Sequence, residues 1–344
     1  MKIKIIIPYF GKFPDFFTYF LLSAKRNKNI DFLIFSDQNT DEYNSLNLSN
    51  VEFKKVSFLD MKRYIQSKYD FKISMNSPYK LCDFKPAYGD IFEEYLVGYD
   101  YWGFCDTDII LGDIEHFLEK EKFFESNYDK FGILGHLQVY KNNIQVNTLY
   151  KKGNKEVYRL NYRNVFSSRY TFIFDEELGI NQIFNENNMR TCELNKLVDD
   201  IDITNYSFRR TDERGKEVNR YYRWSEEKGL ESVEWISSNV KEKSLLYVHF
   251  QKRYISCNRE FEGELFNVIP NKILDNINVD KKDILELTKN RYYREYTYYK
   301  FKKKFKKEKF TIGFIKHKLE MKRNNRKWIT KLVLLFRFIM WRSI

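Results

Sequence analysis

The first part of the chain alternates between short apolar runs and segments with helical spacing. Residues 2–7 form an apolar run that ends at Pro8 and Gly11, which is typical of a buried parallel strand that leads into a loop. Residues 15–25 carry apolar side chains at helical spacing, and residues 31–35 predict a second strand. This β-α-β order predicts an α/β domain with a parallel or mixed sheet.

Further elements of the same kind follow along the chain. The predicted strands are residues 51–56, 99–105, 131–139, 171–174 and 244–250, and the predicted helices are 59–68, 87–96 and 114–122. One helix is expected to start near Pro86, because proline suits the first turn of a helix. Residues 141–170 read as loops and short helices, and residues 191–250 as an antiparallel addition.

Two carboxylates follow the apolar run 99–105, at Asp106 and Asp108. Ligands of open α/β sheets bind beyond the carboxyl ends of the strands. Two carboxylate oxygens together with a diphosphate suit Mn²⁺ or Mg²⁺, and such an ion would neutralise a leaving nucleoside diphosphate. The alternative is a solvated turn. A second Asp-x-Asp, at residues 200–202, follows no comparable strand and is predicted to lie on a surface turn.

Several short segments carry a common pattern, namely KLCDFKPAYG at 80–89, YDYWGFCDTD at 99–108, GH at 135–136, YKN at 140–142, FDE at 174–176 and VHFQK at 248–252. Together they resemble a family of bacterial polysaccharide glycosyltransferases with a GT-A-type fold. The resemblance covers roughly residues 1–255. It implies a Rossmann-like mixed sheet flanked by helices, with the nucleotide-sugar and catalytic sites in this domain.

The same resemblance implies a reaction. A sugar would move from a nucleotide-sugar donor, expected to be UDP-linked, to a hydroxyl of a glycan or lipid-linked glycan. The setting would be cell-surface polysaccharide synthesis, as in capsule or O-antigen formation. The donor base, the sugar, the acceptor and the stereochemical outcome stay open.

His249 ends the last predicted strand. A lone histidine is more often structural, but the resemblance implies that a late histidine joins Asp106 and Asp108 at the metal, and a neutral imidazole suits Mn²⁺. Lys252 and Arg253 follow and could hold the diphosphate. The alternative for both is a surface turn.

The candidate catalytic base lies at Asp175 or Glu176, after the predicted strand 171–174. A carboxylate is needed there to take the proton from the acceptor hydroxyl. The alternative is a helix N-terminus, where acidic residues are favourable in any case. His136 could line the acceptor site, and a packed histidine is the alternative.

The predicted donor-binding residues are Pro8, Tyr9, Gly11, Asp37, Lys80, Asp83, Lys85, Asp106 and Lys252. The first three would lie against the base and ribose, and Asp37 could accept a hydrogen bond from the nucleotide. Lys80 and Lys85 could contact donor phosphate and Asp83 a sugar hydroxyl, with ion pairing across a loop as the alternative.

Positive charge is concentrated at the carboxyl-terminal end of the chain. The net charge is +12, but residues 281–344 contain 21 Lys or Arg and 5 Asp or Glu, so this segment carries +16 and the other 280 residues carry −4. We predict that residues 256–344 form a helical basic tail that binds an anionic membrane surface or a partner. A helix docked on the protein's own body is the alternative. The acidic body argues against a nucleic-acid partner.

Cysteine usage and apolar run lengths bear on location. The cysteines are isolated and form no CxxC pair, which favours reduced thiols in a cytosolic protein. The first apolar run is too short for a signal-peptide core, and no run approaches the ~20 apolar residues of a membrane span. We therefore predict a cytoplasmic protein that is peripheral to the inner face of the cell membrane.

Two other functions compete with sugar transfer. The segment that begins at Asp106 loosely resembles the motif of phosphatases that form an aspartyl-phosphate, although that motif normally follows the first strand of its domain. A non-catalytic membrane or glycan adaptor is the second alternative, and in that case the acidic pair would bind no nucleotide.

Overall fold

The computed structural model describes residues 1–276, except residues 154, 156–159, 202–207, 209, 212–216, 237–238, 252 and 262. Most of the predicted basic tail, residues 277–344, therefore lies outside the described residues. Within the described part, every helix is too short or too polar to cross a lipid bilayer.

The described elements are short. The strands are β1 (Ile3–Pro8), β2 (Ile30–Ser36), β3 (Val51–Lys55), β4 (Tyr101–Cys105), β5 (Ile109–Leu111), β6 (Lys130–Phe131), β7 (Leu137–Lys141), β8 (Thr191–Cys192), β9 (Val198–Asp200), β10 (Arg210–Thr211), β11 (Glu217–Ser225), β12 (Gly229–Ile236), β13 (Asn239–Ser244), β14 (Tyr247–His249), β15 (Leu265–Ile269) and β16 (Lys272–Asp275). The α-helices are α1 (Phe17–Arg26), α2 (Phe58–Ser67), α3 (Tyr88–Ile91), α4 (Ile114–Lys120), α5 (Ile144–Asn147), α6 (Tyr162–Ser167) and α7 (Gln182–Glu186). Tighter 3₁₀ turns cover Asp41–Leu46, Pro78–Ala87, Glu93–Tyr95, Leu149–Lys152 and Asn195–Leu197, and a π-helical turn covers Glu177–Asn181.

The main sheet has the strand order β3-β2-β1-β4-β7-β6-β8. Its first four strands are parallel, and β7 runs antiparallel to β4. From β1 the chain builds β2 and β3 on one side and later returns to β4 on the other. Loops diverge at such a reversal, which is where open α/β sheets bind their ligands. The predicted fold class, a Rossmann-like mixed sheet flanked by helices, is confirmed.

The apolar pattern explains why the parallel half forms. Ile5 and Ile6 point to opposite faces of β1, and both are fully buried. The sheet is therefore covered on both sides, as expected for a strand without polar alternation. Phe17, Phe20 and Leu21 bury one face of α1 in the same core as Ile5.

Two smaller sheets complete the described fold. In one, β14 lies between β5 and β9, antiparallel to the first and parallel to the second. In the other, β13, β12, β11, β15 and β16 follow one another as antiparallel neighbours, and β10 pairs with β11. The predicted antiparallel addition is present in β11–β13. The last predicted strand is shorter than 244–250 and covers Tyr247–His249.

Strands β15 and β16 lie within the segment predicted as a helical tail, so the helical prediction is wrong for residues 265–275. The physical reason is that Phe266 and Val268, which are separated by one residue and so share a face of the strand, are buried where β15 pairs with β11. The domain boundary at residue 255 stays a prediction.

Three local predictions were also wrong. The expected strand 131–139 is divided into β6 and β7, because the chain turns at Gly132, whose φ is +81°. Residues 171–174 form a loop whose amides bond a side chain instead of a neighbouring strand. Pro86 lies inside the 3₁₀ turn Pro78–Ala87, and α3 begins two residues later, at Tyr88. The helix predicted at 87–96 is reduced to α3 and the 3₁₀ turn Glu93–Tyr95.

Candidate active site

Asp106 and Asp108 lie where the chain passes from the main sheet into the three-stranded sheet. Asp106 follows β4 and Asp108 precedes β5. Strand β5 pairs with β14 in a register that puts His249 opposite Ile109, and the Phe250 amide donates to the Asp108 carbonyl at 3.1 Å. This pairing brings a histidine from late in the chain to the predicted acidic pair.

Asp106, Asp108 and His249 each offer one ligand atom, and these atoms lie within 4.8 Å of one another. His249 Nε2 is 3.4 Å from Asp108 Oδ1. Asp108 and His249 are buried, whereas Asp106 is partly exposed. Two carboxylates and an imidazole form a donor set that suits Mn²⁺, so the residues fit a divalent metal.

Electrostatics at this site favour a cation. Burial opposes protonation of His249, but its hydrogen bonds with Asp108 and Asp200 raise its pKa to about 9. Burial, together with His249, lowers the pKa of His136 to about 4. The two rings lie 3.7 Å apart between centroids, and the buried Nδ1 of His136 has no hydrogen-bond partner among the described residues. The carboxylates that attract a proton to His249 would also attract a metal ion.

Asp200 and Asp202 were predicted to lie on a surface turn. Asp200 is exposed, as predicted, but it lies in a strand and not in a turn, and Asp202 lies outside the described residues. Asp200 is the last residue of β9, whose parallel pairing with β14 sets it beside His249. Its Oδ1 lies 2.8 Å from His249 Nδ1 and accepts a hydrogen bond from Gln251 Nε2 at 2.9 Å. The second Asp-x-Asp therefore contributes its first carboxylate to the same site.

Lys85 joins the two acidic parts of the site. Its Nζ donates to Asp106 Oδ1 at 2.7 Å and to the Gly135 carbonyl at 2.7 Å, and it lies 3.2 Å from Asp175 Oδ2. Burial opposes its charge, yet the two carboxylates raise the pKa of Lys85 well above its usual range. Lys85 is thus a buried cation that holds Asp106 and Asp175 in fixed positions.

Asp175 contacts the same lysine as Asp106, and Glu176 follows Asp175 in the chain. Asp175 is buried, and its Oδ1 has no hydrogen-bond partner among the described residues. Burial raises the pKa of Asp175 to about 7 and also raises that of Glu176, against the opposing effect of Lys85 in both cases. Glu176 is partly exposed, whereas Asp175 is buried.

Lys80 and Asp83 bond each other and the backbone, as the ion-pair alternative expected. Their side chains are 2.7 Å apart and almost fully buried. Asp83 also accepts hydrogen bonds from the amides of Phe172 and Phe174, at 3.0 and 3.2 Å. This pair therefore fixes the loop that leads to Asp175, and its burial leaves no surface for contact with a donor.

The predicted nucleotide loops follow β1 and β2 and meet each other. The Gly11 amide donates to Asp37 Oδ1 at 3.1 Å, and Gly11 has a φ of +95°, which favours glycine. Tyr9 follows Pro8, the last residue of β1, and burial and the charge of Asp108 raise its pKa. The loops therefore extend the surface that begins at the acidic pair.

The family model of DUF6625, described as a family of unknown function, matches residues 5–277 of the chain. The chain belongs to this family. No protein among those with curated descriptions matches it.

Several solved structures are similar to this DUF6625 member. The apo form of the glycosyltransferase GlyE of Streptococcus pneumoniae TIGR4 is 11% identical with a TM-score of 0.31, and the match covers 59% of this chain and 47% of GlyE. Mouse xyloside xylosyltransferase 1 is 10% identical with a TM-score of 0.33, covering 58% and 87% of the two chains. A glycosyltransferase involved in glycosylation of the major capsid of PBCV-1 is 10% identical with a TM-score of 0.33, covering 73% and 93%. The match thus spans about half the length of GlyE, and similarities at this level do not assign an activity.

The remaining predicted donor residue, Lys252, lies outside the described residues. Its neighbour Arg253 is described and buried, with its guanidinium 5.1 Å from the centre of the Phe208 ring. Arg253 is therefore buried and does not lie on a surface turn, and its contact with a diphosphate stays a prediction.

Sequence reasoning missed Asp200 and Gln138. Gln138 is fully buried in β7 and donates to the Asp175 carbonyl at 2.7 Å, so it helps to hold the candidate base. A glutamine inside an apolar strand was an available signal, because buried polar residues have specific partners. For Asp200 the available signal was weak, since Val198 is the one apolar residue of β9.

Proposed function

We propose that the chain is a metal-dependent glycosyltransferase that moves a sugar from a nucleotide-sugar donor, expected to be UDP-linked, to a hydroxyl of a glycan or lipid-linked glycan. The observation that carries this proposal is the convergence of Asp106, Asp108 and His249 within 4.8 Å beside the buried Asp175. A donor diphosphate at this point would lie at the switch point of the sheet, where the β1, β2 and β4 loops open.

The metal would be held by Asp108 and His249, with Asp106 binding directly or through water or the ribose. When bound, Mn²⁺ or Mg²⁺ would neutralise charge on the departing nucleoside diphosphate. Asp106 Oδ1 lies 2.7 Å from Lys85 Nζ, and Asp106 is more exposed than Asp108. Its position suits a group that contacts both the ion and the donor.

Glu176 is the proposed base. In a direct displacement the acceptor oxygen forms a bond to the anomeric carbon, the bond from that carbon to the diphosphate breaks, and the hydroxyl proton passes to the carboxylate of Glu176. Burial raises the pKa of Glu176, which makes its carboxylate a better proton acceptor than an exposed glutamate. Asp175, which is 3% exposed, would hold Lys85 instead of touching the acceptor.

The remaining binding roles follow from position. Pro8, Tyr9, Gly11 and Asp37 would face the base and ribose, because their loops adjoin the acidic pair. His136 would border the acceptor, beside His249.

The cellular setting is proposed from the composition of the chain. The acceptor would belong to cell-surface polysaccharide synthesis. The basic residues of 281–344 would hold the enzyme on the anionic inner face of the membrane, each contributing about 1 kcal/mol near that surface.

The test is a calorimetric titration of the full chain with uridine and guanosine diphosphate, with and without Mn²⁺, followed by a screen of nucleotide-sugar donors for Mn²⁺-dependent hydrolysis or transfer. We expect metal-dependent binding and turnover that are lost in Asp108→Ala. Glu52→Gln, which changes an exposed carboxylate on β3, is the matched control and should behave like the parent.

Two results would overturn the proposal. Absence of any Mn²⁺-dependent nucleotide binding in the parent chain would favour an adaptor. Hydrolysis of a generic phosphate ester that disappears in Asp106→Asn, without turnover of any nucleotide-sugar, would favour a phosphatase.

A further inference from the structure

The second Asp-x-Asp places a carboxylate behind the candidate metal ligand. Strands β9 and β14 are parallel neighbours, and their register pairs Asp200 directly with His249. Asp200 Oδ1 lies 2.8 Å from Nδ1 of the imidazole, while Nε2 of the same ring lies 3.4 Å from Asp108 Oδ1. The ring therefore stands between a carboxylate on each side.

The hydrogen bonds determine which nitrogen faces the metal. Asp200 Oδ1 also accepts from Gln251 Nε2 at 2.9 Å, and an ionised carboxylate can only accept. Nδ1 of His249 is therefore the donor of its bond to Asp200, which leaves Nε2 directed toward Asp108. Metal-bound histidines are commonly oriented in this way, with the distal nitrogen bonded to a carboxylate that fixes the tautomer and the ring.

We propose that Asp200 is a positioning residue that orients His249 as a metal ligand and is not itself a ligand. This inference rests on the proposed metal-dependent function. Asp200 acts through the imidazole, so its removal should weaken metal binding without removing any of the three ligand side chains.

A competing arrangement uses the same residues. His136, Asp200 and His249 also bring one ligand atom each within 4.8 Å of one another, and an ion there would make Asp200 a direct ligand. The 2.8 Å contact between Asp200 and Nδ1 favours a hydrogen bond instead. Substitution of His136 distinguishes the two arrangements, because His136 is a metal ligand only in the arrangement with Asp200 and His249.

The neighbouring residue supplies a matched control. Asp199 points to the other face of β9, where Oδ2 accepts from Arg220 Nη1 at 2.7 Å and from the Tyr222 hydroxyl at 3.1 Å. Asp199→Asn removes the same charge one position away from Asp200. It should lower the melting temperature, because it weakens a largely buried ion pair, and it should leave Mn²⁺ affinity unchanged.

The experiment titrates the full chain with Mn²⁺ alone and follows free and bound ion by electron paramagnetic resonance. Asp200→Ala should weaken Mn²⁺ binding by about 10- to 100-fold and reduce the imidazole nitrogen modulation of the bound ion. Asp200→Asn keeps an acceptor oxygen and should lose less Mn²⁺ affinity than Asp200→Ala. Both should melt close to the parent temperature, and His136→Gln should bind Mn²⁺ like the parent.

The possible failures are distinct. If the parent binds Mn²⁺ but Asp200→Ala binds it equally well, Asp200 does not position His249, and the proposed function stands. If His136→Gln loses as much affinity as His249→Ala, the ion lies in the second arrangement and the inference is wrong. If the parent binds no Mn²⁺, with or without uridine diphosphate, the proposed function itself is overturned.

Discussion

Gly135 lies directly against the candidate base pair, and Gly135→Ala tests how tightly that pair is held. A Cβ atom at this position would lie 2.6 Å from Asp175 Oδ2 and 3.1 Å from Glu176 Oε1. Real Cβ atoms essentially never approach a neighbour as closely as the first of these distances. Either the carboxylates or the chain at Gly135 must therefore move.

The size of the movement follows from the contacts. Ordinary contact begins near 3.4 Å, so Asp175 Oδ2 must retreat by about 0.8 Å. Lys85 Nζ, 3.2 Å from that oxygen, and Gln138, bonded to the Asp175 carbonyl, resist the retreat. Overpacking of a closely packed site costs about 1–3 kcal/mol in the free energy of unfolding. The proposed base, Glu176, directly follows Asp175 in the chain, and misplacement of a reacting group by about 1 Å can lower turnover about 100-fold, which is the largest loss of turnover that we expect.

Urea unfolding followed by tryptophan fluorescence measures the loss of unfolding free energy, and a donor assay with Mn²⁺ measures the loss of turnover. Mn²⁺ affinity should change less than turnover, because the nearest neighbours of the new methyl group are the carboxylates of Asp175 and Glu176 and not the candidate metal ligands. The same substitution made in an Asp175→Ala background should cost much less, since the obstructing carboxylate is gone. An equal cost in both backgrounds, or a loss of stability below about 0.5 kcal/mol, would refute this reasoning.

Two further predictions concern buried charges away from the reacting atoms. Asp83→Ala should lower the free energy of unfolding by about 3–5 kcal/mol, because it leaves the buried Lys80 without its counter-ion. Glu52→Ala disrupts an exposed ion pair and should lower it by less than about 1 kcal/mol in the same urea titration. Equal losses in the two variants would contradict the role of burial. Burial lowers the pKa of Lys130 to about 7, below its value in the unfolded chain. As the pH rises, the folded chain therefore loses this proton before the unfolded chain does. The contribution of Lys130 to the free energy of unfolding should rise between about pH 7 and 10. The difference in unfolding free energy between Lys130→Met and the parent should therefore shift in the parent's favour by more than about 1 kcal/mol from pH 7 to 9.5, and a pH-independent difference would show that Lys130 is charged in the fold.

Much of the sheet could be predicted because its signals are local. The apolar run of β1 and the run that ends at Asp106 each mark a buried strand, and burial on both faces removes polar alternation. The predictions of strands were wrong where a side chain, and not a neighbouring strand, accepts the backbone hydrogen bonds. The segment 171–174 has the composition of a strand, yet Asp83 takes the amides of Phe172 and Phe174.

The candidate site was predicted in part. Asp106 and Asp108 could be selected by the strand before them, and the structure places them beside His249. Lys80 and Asp83 could not be distinguished from donor ligands, since a buried ion pair and a phosphate contact use the same residue types. Asp200 was misplaced because β9 is three residues long and mostly polar.

By itself, the sequence determined that a buried strand delivers two carboxylates to a loop at Asp106 and Asp108, because hydrophobic periodicity and turn residues act over a few neighbours. The tertiary structure alone decided that β14 lies between β5 and β9, and hence that His249 stands between Asp108 and Asp200. The physical reason is that strand pairing joins residues far apart in the chain. Its register depends on which edges are free and which faces are buried in the assembled fold, and no local pattern contains that information.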